Sequence, residues 1–125
     1  MFKLIVAGSR TFTDYAFLRD YLDRLLINVR KDSEIEIVSG HARGADSLGE
    51  RYAQERGYAL KIFPAEWDTY GKLAGFRRNT QMAEYADALV AFHDGESRGT
   101  KHMIETMRSI KPQAPVRVAK FKRGE

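Results

Sequence analysis

Apolar runs that stop at a glycine constrain this chain most. Leu4-Ile5-Val6-Ala7 ends in Gly8-Ser9-Arg10, and Ala88 to Phe92 ends in the polar stretch His93 to Thr100. A strand with one wet face alternates apolar and polar side chains, so a run without alternation needs both faces covered. Ile35, Ile37 and Val38, stopped by Gly40, and Leu60, Ile62 and Phe63, closed by Pro64, add two strands; Val116 and Val118 around Arg117 read as an edge strand. Between these segments the period changes to that of a helix. Leu18, Tyr21, Leu22, Leu25, Leu26 and Val29 follow the N-cap types Thr13 and Asp14. Ala45, Leu48, Tyr52 and Ala53 precede Gly57, a C′ residue by position. A third helix runs from about Phe76 to Ala86, and a fourth carries Met103, Ile104, Met107 and Ile110 up to Pro112.

Five strands alternating with four helices imply an α/β fold: a Rossmann-like three-layer sandwich around a parallel sheet. Right-handed crossovers give the expected strand order 3-2-1-4-5. In such sheets ligands bind outside the carboxyl ends of the strands, where the order reverses. That places Gly8 to Arg10, Gly40 to Gly44 and His93 to Thr100 around one site. The chain's 125 residues suit one domain, expected over 1–119, with 120–125 as a basic tail.

The net charge of +4 does not point to a broad nucleic-acid surface, because the last ten residues alone carry +3 of it. The absence of cysteine excludes disulfides and thiolate metal sites. No segment has the apolar length of a membrane span, and MFKLIVAGSR reads as a strand rather than a signal peptide. The expectation is a cytoplasmic protein with no membrane partner. His41, His93 and His102 lack ligand spacing, so no metal site is expected. Mg²⁺ enters only as the companion of a bound phosphate.

The residue types of the three loops agree. Gly8, Ser9 and Arg10 form the first; Ser39, Gly40, Arg43 and Gly44 the second; Gly95, Ser97, Gly99 and Thr100, with Arg98 among them, the third. Glycine permits close backbone approach, helix N-termini attract anions, and arginine adds bidentate hydrogen bonds. Neither a G-x-x-x-x-G-K-[ST] loop nor a G-x-G-x-x-G fingerprint is present, which argues against triphosphate hydrolysis and ordinary dinucleotide dehydrogenase chemistry. Arg77, Arg78 and Asn79 are read as opening the third helix, where positive charge opposes the helix dipole and calls for an anionic partner. Trp67 and Tyr70 either stack a base or close the domain edge. Asp46 is read as an acceptor of backbone N–H groups at its helix start, with catalysis as the alternative.

The stretches AGSRTFTDY, SGHARGADSLGERYA, FPAEWDTYGKLAGFRRNTQMAEYADALVAF and DGESRGTKHMI together resemble the SLOG superfamily, in particular its small YspA-like, YpsA-related branch of bacteria and phages. The resemblance implies a Rossmann-like fold, a nucleotide or nucleotide-derived ligand, and a homo-oligomer. More distantly the chain resembles the LONELY GUY phosphoribohydrolases, which cleave the N-glycosidic bond of cytokinin nucleotides and carry a PGGxGTxxE loop. Arg77-Arg78, Met82, Ala86-Asp87-Ala88 and Gly99-Thr100 match their elements, but Met103 stands where that family has glutamate, and HDGESRGT replaces the tight PGG form. Glu105 is two residues further, about 200° around the helix. The DNA-processing protein DprA is also similar, through Gly8-Ser9-Arg10, Ser39 to Asp46 and Arg78-Asn79.

The reading that follows is a nucleotide-binding sensor or carrier. Its site comprises Gly8, Ser9, Arg10, Ser39, Gly40, Arg43, Gly44, Arg78, Asn79, Gly95, Ser97, Gly99 and Thr100, with Trp67 and Tyr70 as base-stacking candidates. A nucleotide-processing hydrolase is the alternative, with Asp94, Glu96 and Glu105 as the catalytic carboxylates open to it. Single-stranded DNA binding is a third reading.

Overall fold

The computed structural model describes residues 1–122. Strands β1 (Phe2–Gly8), β2 (Ile35–Ser39), β3 (Ala59–Ile62), β4 (Ala88–His93) and β5 (Val116–Lys120) form one sheet in the order β3-β2-β1-β4-β5. Every pairing is parallel, and Leu4 lies opposite Ile37 on one side and Ala88 on the other. The Rossmann-like α/β architecture and the strand order are those the apolar runs imply.

Six α-helices connect the strands: α1 (Tyr15–Leu26), α2 (Val29–Asp32), α3 (Ala45–Arg56), α4 (Trp67–Tyr70), α5 (Ala74–Tyr85) and α6 (Arg98–Ile110), with a 3₁₀ turn at Gly71–Leu73. The sequence suggests four. Helix α2 is hidden because Val29 still packs on the core, so the apolar period continues across the backbone break at residues 27–28. Helix α4 is a single turn, closed by Thr69 and Tyr70 N–H groups on the Glu66 carbonyl at 3.1 and 3.0 Å, inside a stretch with no apolar period. Helix α5 begins two residues before the expected Phe76, which moves Arg77 and Arg78 inward from its first positions.

The central strand divides its side chains between two cores. Leu4 and Val6 pack with Leu18, Leu22 and Leu26 of α1 and Tyr52 and Ala53 of α3. Ile5 and Ala7 pack on the opposite face with Met82 and Ala83 of α5 and Met103, Ile104 and Met107 of α6. Each buried Val, Leu, Ile or Met among them contributes about 1.5–3 kcal/mol. On the first face Asp23 ties α1 to α3: it accepts from the Tyr52 hydroxyl at 2.7 Å and from Arg56 at 3.0 and 2.7 Å. Those Arg56 hydrogen bonds hold the Asp23 carboxyl below its ordinary range.

The expected boundary at 119/120 falls inside β5, which ends at Lys120. Phe121 then donates its N–H to the His93 carbonyl at 3.1 Å and meets the Phe12 ring edge-on at 4.9 Å. The remaining tail residues 123–125 lie outside the described residues. Among the described residues no helix is long and apolar enough to cross a membrane.

Candidate functional site

Ser9 fastens three elements at the carboxyl end of the sheet. Its N–H donates to the Phe92 carbonyl at 2.9 Å, its Oγ accepts from the Asp94 N–H at 3.1 Å, and its carbonyl accepts from the Ala45 N–H at 3.2 Å. It is 1% exposed. The last contact demands glycine at position 44: φ is +77°, and a Cβ there would stand 2.3 Å from the Ser9 oxygen. The loops after β1, β2 and β4 are thereby held against one another.

The loop after β2 is braced from α3. Ser39, fully buried, donates through Oγ to Glu50 at 2.7 Å and accepts from the His41 N–H at 3.0 Å. His41 has φ +61°, a conformation uncommon outside glycine, and its Nδ1 lies 2.9 Å from Glu50. The loop after β4 is braced by its own carboxylate. Asp94 Oδ1 accepts from the Glu96 and Ser97 N–H groups at 2.8 and 2.9 Å. Burial opposes ionisation of Asp94, but these bonds outweigh it and hold the carboxyl below its ordinary range. Ser97 caps α6 by accepting from the Thr100 N–H at 3.3 Å.

Arg78 and Asn79 join the loops across the site. Arg78 Nη1 donates to the Gly40 carbonyl at 2.5 Å and Nε to Asn79 Oδ1 at 3.0 Å. A guanidinium only donates, so Asn79 must turn its amide nitrogen the other way. That nitrogen donates to the Gly99 carbonyl at 3.3 Å and meets His102 Nδ1 at 3.1 Å. His102 therefore accepts at Nδ1; burial holds its pKa below the ordinary value, and Phe76 stacks on the ring at 4.1 Å.

Asp46 is buried in the same region, 5% exposed, with Oδ2 accepting from the Ala42 N–H at 3.3 Å. Burial raises its carboxyl to about 6, against the opposing pull of the Ala42 and Gly8 N–H groups and of Arg78. Burial likewise lowers the Arg78 guanidinium from its ordinary value, with Asp46 opposing. Gly40 makes this approach possible: a Cβ there would lie 2.7 Å from Arg78 Nη1 and 2.9 Å from Asp46 Oδ2.

Two adjoining cavities result. One, of about 350 Å³, is walled by Gly8, Ser9, Arg10, Asp46, Arg78, Asn79, Asp94, Glu96, Ser97, Gly99 and Thr100, with Met82 and Met103 as its apolar floor. The other, of about 320 Å³, is walled by Gly40, His41, Arg43, Pro64 and Trp67; the two share Arg10, Ala42 and Arg78.

Most of the site residues read from the sequence thus line one of two joined lobes. Ser39 and Gly44 lie behind them as braces, and Gly95 forms the exposed tip of its loop. Trp67 lines the second lobe, whereas Tyr70 lines neither and lies under the Arg77 guanidinium at 3.9 Å. Glu105 lines neither lobe: its side chain is 64% exposed, 3.9 Å from Lys101. The anionic partner expected of an arginine is, for Arg78, a carbonyl with the Asp46 charge nearby. Sequence reasoning missed His102, which orients Asn79, and Glu50, which fixes His41; only their i+3 and i+9 spacing from Gly99 and His41 could have indicated them. Among the described residues no group of three or more metal-ligating side chains occurs.

A sequence profile of the YspA, cpYpsA-related SLOG family (YAcAr) matches residues 2–70, from β1 through the first two loops to α4. The Gene 61 protein of Mycobacterium phage D29 is 34% identical over 110 residues, spanning 83% of this chain and 86% of the phage protein. The X-ray structure of TM1055, a Northeast Structural Genomics Consortium target, shares the fold with a TM-score of 0.65 over 93% of this chain and 72% of its own, at 20% identity.

Proposed function

The chain belongs to the YspA, cpYpsA-related SLOG family, and from that premise we propose that it binds a nucleotide or nucleotide-derived ligand in the joined lobes, as a sensor or carrier. The observation that carries this reading is the convergence of three strand-to-helix loops on one cavity with Arg10 and Arg78 at its centre. Ser97 takes the Thr100 N–H, but the other first-turn N–H groups of α6 have no acceptor within their own helix, so they favour an anion there. Phosphate is expected across Gly8 to Arg10, Gly40 to Gly44 and Gly99-Thr100; Mg²⁺ would enter only together with that phosphate. Trp67, half-exposed at the rim of the second lobe, is the ring on which a base stacks.

A hydrolase is the less supported reading, because Glu105 turns away from the cavity and Met103 occupies its floor. Single-stranded nucleic acid needs an extended basic track, and Arg77 is engaged with Tyr70 instead. We place the protein in the cytoplasm as a homo-oligomer. Native mass spectrometry of freshly purified protein, followed by calorimetry against nucleoside mono-, di- and triphosphates, tests the proposal. A retained nucleotide, or saturable binding from the panel, is expected; a bare protein that binds none of them overturns it.

A further inference from the structure

The Asn79 amide joins two hydrogen-bonding ends of fixed polarity. At its oxygen, Arg78 donates Nε–H at 3.0 Å, while Arg78 Nη1 donates to the Gly40 carbonyl. At its nitrogen, the NH₂ donates to the Gly99 carbonyl at 3.3 Å and to His102 Nδ1 at 3.1 Å. His102 lines neither lobe, whereas Asn79 lines one and Arg78 both. Resting on the nucleotide reading above, we infer that His102 is a positioning residue that makes the site proton-sensitive: the neutral imidazole holds Asn79 and, through it, Arg78, and the imidazolium releases them, so that nucleotide affinity falls as His102 takes up a proton.

Donor counting carries the argument. A guanidinium has donors and no acceptor, and an imidazolium donates from both ring nitrogens. The neutral ring accepts at Nδ1 and carries its proton on Nε2, which reaches the Thr106 hydroxyl at 3.3 Å. Protonation turns Nδ1 into a donor facing the NH₂ of Asn79. If Asn79 rotates to offer its oxygen to the imidazolium, its NH₂ faces Arg78 Nε–H and its oxygen faces the Gly99 carbonyl, so both of those bonds are lost. If it does not rotate, two donors confront each other at a buried residue. One amide therefore cannot serve a charged His102 and Arg78 together. A guanidinium is planar, so loss of its Nε bond also frees the plane in which its remaining donors lie.

The surroundings of the ring favour the assembled state at neutral pH. Burial lowers the His102 pKa from its ordinary value, against the Glu105 carboxylate one turn on. Its other charged neighbours are Arg98, one turn back on α6, and Arg78, behind Asn79 on α5. From α5 the Phe76 ring stacks on it. Beyond Arg78 lies Asp46, whose carboxyl is raised to about 6. Asp46 acts in the opposite sense, because its protonation removes a negative charge from the neighbourhood of the anion, so the two titrations are separable by sign and by variant.

Nitrogen-15 spectra of the full chain between pH 8 and pH 4 test the first half without a ligand. The neutral ring is expected as the Nε2–H tautomer, and the Arg78 Nε–H and Asn79 amide signals are expected to shift with the midpoint of the ring. A neutral Nδ1–H tautomer, a ring that stays neutral to pH 4, or an Arg78 signal that ignores the titration overturns the inference and leaves the nucleotide reading intact. Calorimetry with AMP, ADP and ATP over the same range tests the second half. The wild type is expected to lose about tenfold in affinity across the His102 midpoint, a coupling of ordinary size. His102→Asn offers an amide oxygen in place of Nδ1 and cannot charge, so this loss is expected to be absent from its profile while the Asp46 titration remains. The same pH profile in wild type and folded His102→Asn overturns the inference; should the variant fail to fold, the wild-type spectra decide. Absence of binding by all three nucleotides at every pH overturns both.

Discussion

Arg78 donates to the carbonyl oxygen of Gly40 at 2.5 Å, a bond between residues 38 apart in sequence. The same guanidinium holds Asn79, which reaches Gly99 at the start of α6. One side chain thus sets the spacing between the loops after β2 and β4, on either side of β1. With Arg10 it is also one of two cations shared by both lobes, so under the nucleotide reading it acts on the ligand by charge and on the site by geometry.

Arg78→Ala is therefore expected to weaken nucleotide binding by roughly 1.5–3 kcal/mol and to lower stability by about 1–3 kcal/mol, because the Gly40 carbonyl and Asn79 lose a donor. Arg78→Lys restores a charge but not a forked donor, so it recovers only part of either loss. Calorimetry and urea unfolding on the same preparations read the two effects separately. An alanine variant unchanged in both would remove Arg78 from the site's frame.

The fold was legible because Leu4 to Ala7 has no alternation, and the structure divides those residues between two cores. The helical arithmetic that separated Glu105 from Met103 also holds: one side chain is 64% exposed and the other residue 1%. What stayed illegible depends on long-range contact. Nothing near Ser9 in sequence tells that Phe92, Asp94 and Ala45 will bond to it. The place of Asp46 just after a glycine indicated a helix-start acceptor, but not that Gly40 and Arg78, distant in sequence, would lie against its carboxylate. The dipole argument asked for an anionic partner on the premise that Arg77 and Arg78 open the helix; α5 starts at Ala74 instead, and the acceptors that Arg78 meets are the neutral Gly40 carbonyl and Asn79.

Burial raises the Asp46 carboxyl from 3.8 to about 6. Between those values the folded protein holds a proton that the unfolded chain has released. This group's contribution to stability is therefore full below pH 4, falls as pH rises through the window, and is constant above it. The interval corresponds to about 3 kcal/mol. Asp46→Asn lacks the titration, so urea unfolding at pH 4, 5, 6 and 7 should show the variant gaining on wild type by up to about that amount. A difference independent of pH would contradict the burial of this carboxyl.

Asp23 acts in the opposite sense and away from the site. Its carboxyl is held down by Arg56, so its contribution is present above the unfolded value and lost as pH falls. Asp23→Ala leaves the hydroxyl of the fully buried Tyr52 without its acceptor. The expected cost is about 1–3 kcal/mol in urea unfolding at pH 7. Nucleotide affinity should not change, because Asp23 lies between α1 and α3 and lines neither lobe.

The last prediction concerns catalysis. Cleaving a nucleotide's glycosidic bond needs a carboxylate beside the developing oxocarbenium ion. Met103, on the cavity floor, is a thioether that can neither move a proton nor stabilise a cation by charge. Glu105 is exposed beside Lys101. Asp94 is committed to the N–H groups that shape its own loop, and Asp46 is buried with its Oδ2 on the Ala42 N–H. Incubation with AMP, GMP, CMP and their deoxy forms, followed by chromatography, is therefore expected to yield no free base at enzymatic rates. If base does appear, Glu96→Gln and Asp46→Asn identify its source. Loss of cleavage in either, with nucleotide still bound, would replace the sensor or carrier reading with a hydrolase whose carboxylate lies in the lobe floored by Met82 and Met103.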